Sequence, residues 1–258
     1  MQEIDVAIQA AVQAVHLIRV NAGHADAQEK APSDLVTSTD EAAQALIIRI
    51  LEEAFPDTGV LAEEGAPSDL SDFEGWIVDP IDGTANFAHG LPPYAVSIGL
   101  RRESQMVMGL VLEVSSGDLF TAIRGKGAWR NGRRIQVSTR LRLADCIIAT
   151  GFPFREQDYT EAYLEVLRRF LVETRGVRRF GVASVDLAYV ACGLMDGFFE
   201  TGLHPWDVAA GMLLVEEAGG RVTDYHGERD PLFAGQIVAS NEWVHEEMLL
   251  LTPPLRSS

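Results

Sequence analysis

Cysteine is nearly missing. The 258 residues contain only Cys146 and Cys192, far apart and part of no cluster with metal-ligand spacing. That excludes a disulfide framework and a cysteine-built zinc site. Both lie in apolar surroundings and read as small buried residues. Long apolar runs are missing too, since none approaches the roughly 20 residues of a membrane-spanning helix. No basic stretch followed by an apolar one opens the chain, and Gln and His interrupt its first segment. The expectation is a soluble, cytoplasmic protein with no leader and no membrane contact. Basic charge is scarce: 21 Lys and Arg stand against 38 Asp and Glu, a net charge of −17. Non-specific nucleic-acid binding needs a basic face, so that class is excluded.

What the chain does have is apolar material, 47% of its residues, enough for a sizeable core in one large unit or two tightly joined subdomains. Ile4, Ile8, Ala11, Val12, Val15 and Ile18 recur at helical spacing over residues 3–20. Gly23 and the polar stretch to Lys30 read as a loop. A second helix is predicted from Asp40 to Phe55-Pro56, with Ala42, Ala45, Leu46, Ile47, Ile50 and Leu51 on its apolar side. A strand over 59–62 delivers Glu63 and Glu64 into a turn.

From Trp76 to about Val137 the pattern is short strands, over 75–79, 95–101, 106–114 and 118–123, with a Gly-rich corner at 125–132; it suggests an antiparallel sheet. Beyond about residue 140, strands near 146–150, 177–180 and 198–200 alternate with helices over 160–173, 184–195 and 207–218, as in an α/β fold. The expected organisation is an N-terminal α+β subdomain over 1–140 and a C-terminal α/β subdomain over 141–258, joined as one compact unit.

The most informative segment is Trp76-Ile77-Val78-Asp79-Pro80-Ile81-Asp82-Gly83-Thr84. An apolar strand runs into two carboxylates three residues apart, where proline fixes the turn and Gly83 lets backbone approach a ligand closely. Converging carboxylates repel unless a hard cation joins them, and oxygen ligands suit Mg²⁺. The Gly83 and Thr84 amides beyond them can receive a phosphate if a helix begins there. Acids for metal beside amides for phosphate point to metal-dependent phosphoryl chemistry. Glu63, Asp207 in His204-Pro205-Trp206-Asp207, and Asp40 are further acids placed for the same task, with Asp40 and Asp207 also fit to cap helices. Asp34 and Glu64 read as loop acids with a weaker claim. His89 and His204 read as structural or substrate-rim residues, because hard cations favour oxygen. Arg175, Arg178 and Arg179 read as a solvated face paired with nearby acids.

Taken in order, Asp34–Asp40, Ala62-Glu63-Glu64, Asp79–Thr84 with Asn86-Phe87-Ala88-His89-Gly90, and Trp206-Asp207 through Glu217–Gly220 resemble the inositol monophosphatase family over almost the whole chain. The resemblance implies a layered αβαβα sandwich of the inositol monophosphatase and fructose-1,6-bisphosphatase type. It implies two or three Mg²⁺ ions, with Glu63, Asp79 and the Ile81 carbonyl on one, Asp79, Asp82 and Asp207 on a second, and a third near Glu63. Thr84, paired with Asp40, would orient and help deprotonate the attacking water, with no covalent phosphoenzyme. Gly83, Thr84, Asp82, Ala183, Glu200 and Asp207 would face the substrate, and Lys30 stands where the family often has a lysine. A homodimer is the implied assembly.

Asn86-Phe87 resembles the inositol phosphatase branch, so inositol 1-phosphate is the first expected substrate. Histidinol phosphate, fructose 1,6-bisphosphate and 3′-phosphoadenosine 5′-phosphate are the alternatives within the fold, and a regulatory protein-binding role in RNA metabolism the alternative outside it. Ala62, Ala85 and Val182 depart from the family pattern. They bear on substrate choice rather than on hydrolysis.

Overall fold

The structure is a computed structural model. It describes residues 2–22, 27–31, 34–66, 72–153 and 160–253, with only the backbone of 27–31, 34 and 35. The expected helical spacing produces α1 (Glu3–Asn21), whose Val6, Ala7, Ala10, Ala14 and Ile18 are buried. α2 (Ser38–Ala54) begins two residues earlier than the sequence reading. Thr37 is its N-cap, taking the Thr39 and Asp40 amides on its hydroxyl while Asp40 reaches back to the Thr37 amide. This reciprocal box satisfies donors that a helix start otherwise leaves bare. Ahead of it, β1 (Ala27–Ala31) and β2 (Asp34–Thr37) pair antiparallel. The stretch read as a loop up to Lys30 is thus a strand from Ala27, held by backbone pairing rather than by an apolar pattern; residues 23–26 lie outside the described part.

α1 and α2 cover one face of a seven-stranded sheet in the order β3 (Val60–Ala62), β4 (Gly75–Asp82), β5 (Ala95–Arg102), β6 (Gln105–Glu113), β7 (Leu119–Ile123), β8 (Gly127–Arg130) and β9 (Arg133–Arg134). All neighbours are antiparallel except β3 and β4, which run parallel. Alternate residues feed opposite faces: Met108, Leu110 and Leu112 of β6 pack under α1 and α2, and Val111 packs on the other side.

That other side carries α5 (Ala183–Ala191) and α6 (Pro205–Glu217), which fill the space before a second sheet. α6 lies close because Gly99 and Gly109 face each other across β5 and β6. A Cβ on Gly109 would come within 2.6 Å of the Ala210 carbonyl oxygen. The second sheet runs β11 (Gly176–Arg178), β10 (Ile147–Thr150), β12 (Gly197–Thr201), β14 (Gln236–Asn241) and β13 (Gly220–Thr223). Its far face packs on α4 (Thr160–Glu173) and α7 (His245–Leu251), where Phe170 stacks on Phe199 with centroids 4.1 Å apart.

The layers are therefore helix, sheet, helix, sheet, helix, as expected. α5 stops at Ala191 rather than 195 because Gly193 turns at φ 73°, a conformation that suits glycine.

Candidate active site

β4 pairs with β3 only as far as Val78, so Asp79, Pro80 and Asp82 continue past the edge neighbour. The register with β5 shifts between Asp79 and Asp82, the irregularity where a proline fits. Gly83 then adopts φ 91° and ψ 38° and caps α3 (Thr84–Ala88), the helix on which the phosphate reading depended. A Cβ on Gly83 would sit 2.6 Å from Val182 Cγ2, so the turn packs against the entry to α5. Asn86 tightens the same junction through Nδ2, which donates to the Pro93 and Phe180 carbonyls at 2.9 and 3.0 Å.

Asp79, Asp82 and Asp207 converge. One oxygen from each lies within 4.8 Å of the others. Asp207 arrives from the first turn of α6, taking the His204 amide at 2.6 Å, and His204 stacks on Trp206 at 4.7 Å. Asp82 takes the Ser184 amide at 2.7 Å. Asp79 is 1% exposed and its Oδ1 has no hydrogen-bond partner among the described residues. Burial first, then the charges of Glu63, Asp82, Asp207 and Asp40, hold the Asp79 carboxyl well above the usual range. Burial and Asp207 push Asp82 up to about 7, against the downward pull of its Ser184 bonds. Three crowded carboxylates, those of Asp79 and Asp82 buried and that of Asp207 half-buried, match a hard divalent cation in donor type.

Glu63 follows β3, with its amide on the Val78 carbonyl at 3.2 Å, and its charge is felt at Asp79 although it is not one of the converging three. Gln44 clasps the Glu64 backbone at N and O, at 2.9 and 2.8 Å. Beside the triad, the Thr84 hydroxyl lies 3.0 Å from Asp40 Oδ1 and 3.1 Å from the Ile81 carbonyl, its single proton serving either. Asp40 is fully buried; burial raises its pKa, while the Thr37 and Thr84 hydrogen bonds lower it.

Ala183 opens α5 next to the Ser184–Asp82 bond. Glu200 stands on β12 of the other sheet, pressed so close to Gly151 that a Cβ there would overlap its carboxylate. The side chains of Lys30 and Asp34 lie outside the described part. His89 Nδ1 contacts the Ala85 carbonyl at 2.8 Å, a local helix contact. In the arginine group, Arg175 pairs with Asp145 at 3.0 Å and Arg179 lies over the Phe152 ring. Thr37 and Asp186 were given no role from the sequence, and the Ser184 amide, expected with Gly181-Val182-Ala183 to face a substrate hydroxyl, is bonded to Asp82 instead. The available signal for Asp186 was an acid between Val185 and Leu187 in an otherwise apolar helix.

A model of the inositol monophosphatase family matches residues 1–252. The chain belongs to the inositol monophosphatase family. An inositol-1-monophosphatase of Mesorhizobium japonicum is 43% identical over 250 residues, 95% of this chain and 94% of that protein. The Nus factor SuhB of Escherichia coli K12 is 42% identical over the same shares. The crystal structure of extragenic suppressor protein suhB from Bartonella henselae matches with a TM-score of 0.91 and 42% identity, over 96% of this chain and 97% of that one. A more distant member, an IMPase/NADP phosphatase solved with Mg²⁺ and phosphate, shares 26% identity at a TM-score of 0.81, over 93% and 90%. Phosphatase chemistry follows from membership of the inositol monophosphatase family. No helix among the described residues is long and apolar enough to cross a membrane.

Proposed function

We propose that the chain is a Mg²⁺-dependent phosphomonoesterase for a small polyol phosphate, with inositol 1-phosphate the first substrate. The observation that carries this reading is the convergence of Asp79, Asp82 and Asp207 next to the Thr84–Asp40 hydrogen bond. Those three acids, Glu63 and the Ile81 carbonyl would hold two or three ions. Bound there, Mg²⁺ supplies charge that neutralises the phosphate, acidifies a water and offsets the departing alkoxide.

The protein's own groups do the rest. Thr84 Oγ1 orients the attacking water and passes a proton toward Asp40 Oδ1. The water oxygen forms its bond to phosphorus as the ester oxygen opposite leaves and takes up a proton. The Gly83 and Thr84 amides donate to phosphate oxygens, while the Ala183 backbone and Glu200 meet a polyol hydroxyl. A thiol nucleophile is a poor rival, because burial pushes Cys146 up to about 12.

The test is phosphate release from inositol 1-phosphate, histidinol phosphate, fructose 1,6-bisphosphate and 3′-phosphoadenosine 5′-phosphate, with Mg²⁺ and with chelator. Fast Mg²⁺-dependent release from inositol 1-phosphate is expected. Preference for another ester keeps the chemistry and moves the substrate. Asp79→Asn should lose turnover by several orders of magnitude with its fold intact, and near-normal turnover would refute the site. The relatives named as Nus factors favour a second reading, a protein-binding role in transcription. Weak release from every ester, with specific capture of a protein partner, would make it the better one.

A further inference from the structure

Gln44 takes no part in the chemistry above, yet both ends of its half-buried side-chain amide are engaged with one residue beside the site. Its Nε2 donates to the Glu64 carbonyl at 2.8 Å, and its Oε1 accepts from the Glu64 amide at 2.9 Å. A residue in an antiparallel sheet exchanges the same pair of bonds with its cross-strand neighbour. Here a side chain stands in for that neighbour, at the point where the sheet stops helping. β3 pairs with β4 as far as Ala62 and Val78, and Glu63 continues the ladder with its amide on the Val78 carbonyl at 3.2 Å. The turn that follows passes through Gly65 at φ 83°, with the Ala66 amide on the Glu63 carbonyl at 3.4 Å. Both Gln44 bonds are shorter than either of these.

Gln44 also lies one helical turn after Asp40, on the same face of α2. Asp40 meets the Thr84 hydroxyl at 3.0 Å, and the buried Ala43, Ile47 and Leu51 seat the helix in the core. One rigid helix therefore holds Asp40 against the end of β4 and the Glu63–Glu64 turn at the end of β3. The three converging carboxylates arrive from β4 and α6, whereas Glu63 comes from this turn. A ligand group whose support is itself hydrogen-bonded is in place before the ion arrives, and loss of that support weakens the ion.

We infer that Gln44 is a positioning residue for a divalent cation: its amide clasps the Glu64 backbone and so holds Glu63 as a cation ligand beside Asp79, Asp82 and Asp207. This rests on the phosphatase reading above, which makes Glu63 a ligand, and adds the group that aims it.

The experiment measures Mn²⁺ binding to the full chain by electron paramagnetic resonance, since Mn²⁺ takes the same oxygen ligands as Mg²⁺. The wild type is compared with Glu63→Gln, Gln44→Met, Gln44→Ala, Gln44→Glu and the Glu63→Gln/Gln44→Met double variant. Glu63→Gln identifies the ion that depends on Glu63. Methionine has the length of glutamine without its donor and acceptor, so Gln44→Met should weaken that same ion roughly tenfold or more and leave the rest at wild-type affinity. Gln44→Glu still accepts from the Glu64 amide and should hold the ion more tightly than Gln44→Met does. With Glu63 already replaced, Gln44→Met should add nothing. In phosphate release from inositol 1-phosphate, Gln44→Met should need more Mg²⁺ by a like factor and regain the wild-type rate at saturation.

A clasp that serves the fold alone would lower the melting temperature in chelator and leave Mn²⁺ binding unchanged, which overturns the inference. An even loss of every ion overturns it too. Gln44→Ala lacks the clasp and favours helix, so it answers if Gln44→Met does not fold; failure of both to fold makes the clasp structural and refutes the positioning role. A wild type that binds no Mn²⁺, or a Glu63→Gln variant that binds it as the wild type does, refutes the placing of cations in the phosphatase reading, and the role of Gln44 falls with it.

Discussion

Removing the cation should make the protein lose stability as pH rises, and Asp82 gives the size of the effect. Its carboxyl titrates near 3.8 when unfolded and at about 7 when folded. Between those values the unfolded chain is ionised there while the folded one binds a proton. The stabilisation is therefore complete below pH 4 and is lost as pH climbs to 7. One proton costs about 1.4 kcal/mol per pH unit, and the slope flattens as the folded group becomes half ionised at pH 7, so the loss from pH 5 to 7 is about 2–3 kcal/mol. In a chain of this size that is a fall in melting temperature of about 5–10 °C.

Another group works the other way. His245 is fully buried between the Thr223 and Ser240 hydroxyls, each 3.0 Å away, and burial lowers it to about 4. Its contribution is present above pH 6.5 and is lost as pH falls, which masks part of the Asp82 slope. The quantity to read is the difference between Asp82→Asn and wild type in chelator, where His245 cancels. Calorimetry at intervals from pH 5 to 8 should show that difference growing by about 5–10 °C in favour of the variant. Saturating Mg²⁺ should stabilise the wild type at pH 8 and not the variant. A difference that stays flat with pH would refute the claim that Asp82 is a crowded, dehydrated acid.

Two further substitutions test separate parts of the site. Thr84→Val removes the hydroxyl bonded to Asp40 and should lower kcat on the order of a hundredfold or more, while Thr84→Ser keeps most of the rate, as measured by phosphate release. Equal rates for the two would remove Thr84 from proton handling. Gly109→Ala forces a methyl group against the Ala210 carbonyl and should cost about 1–3 kcal/mol in a denaturant titration, with an unchanged midpoint counting against the close seat of α6.

Much of this was readable in the sequence where one physical pattern dominated. The helical spacing of apolar residues marked α1, and the same periodicity gave the bounds of α4 at 160–173. The two acids of Asp79–Asp82 announced the site because so few roles suit converging carboxylates after an apolar strand. What stayed hidden depended on partners remote in the chain. β1 has no apolar alternation and exists through its pairing with β2. Asp40 looked like a helix start, and only the reciprocal bonds with Thr37 make it a third-position acid turned toward Thr84. The Ser184 amide on Asp82 joins residues 102 positions apart, a contact with no local signature.

The position of β14 has a consequence for synthesis of the chain. β14 pairs with both β12 and β13, so the last strand described is what joins β13 to the rest of the second sheet. The seven strands of the first sheet are all made by residue 134, but α6, which covers their inner face, comes only at 205–217. A growing chain therefore carries Ile77, Val111 and Phe120 uncovered over some 70 residues of translation, or several seconds at ordinary rates. That interval, rather than any property of the finished protein, is when the molecule is most open to wrong pairing and most in need of a chaperone.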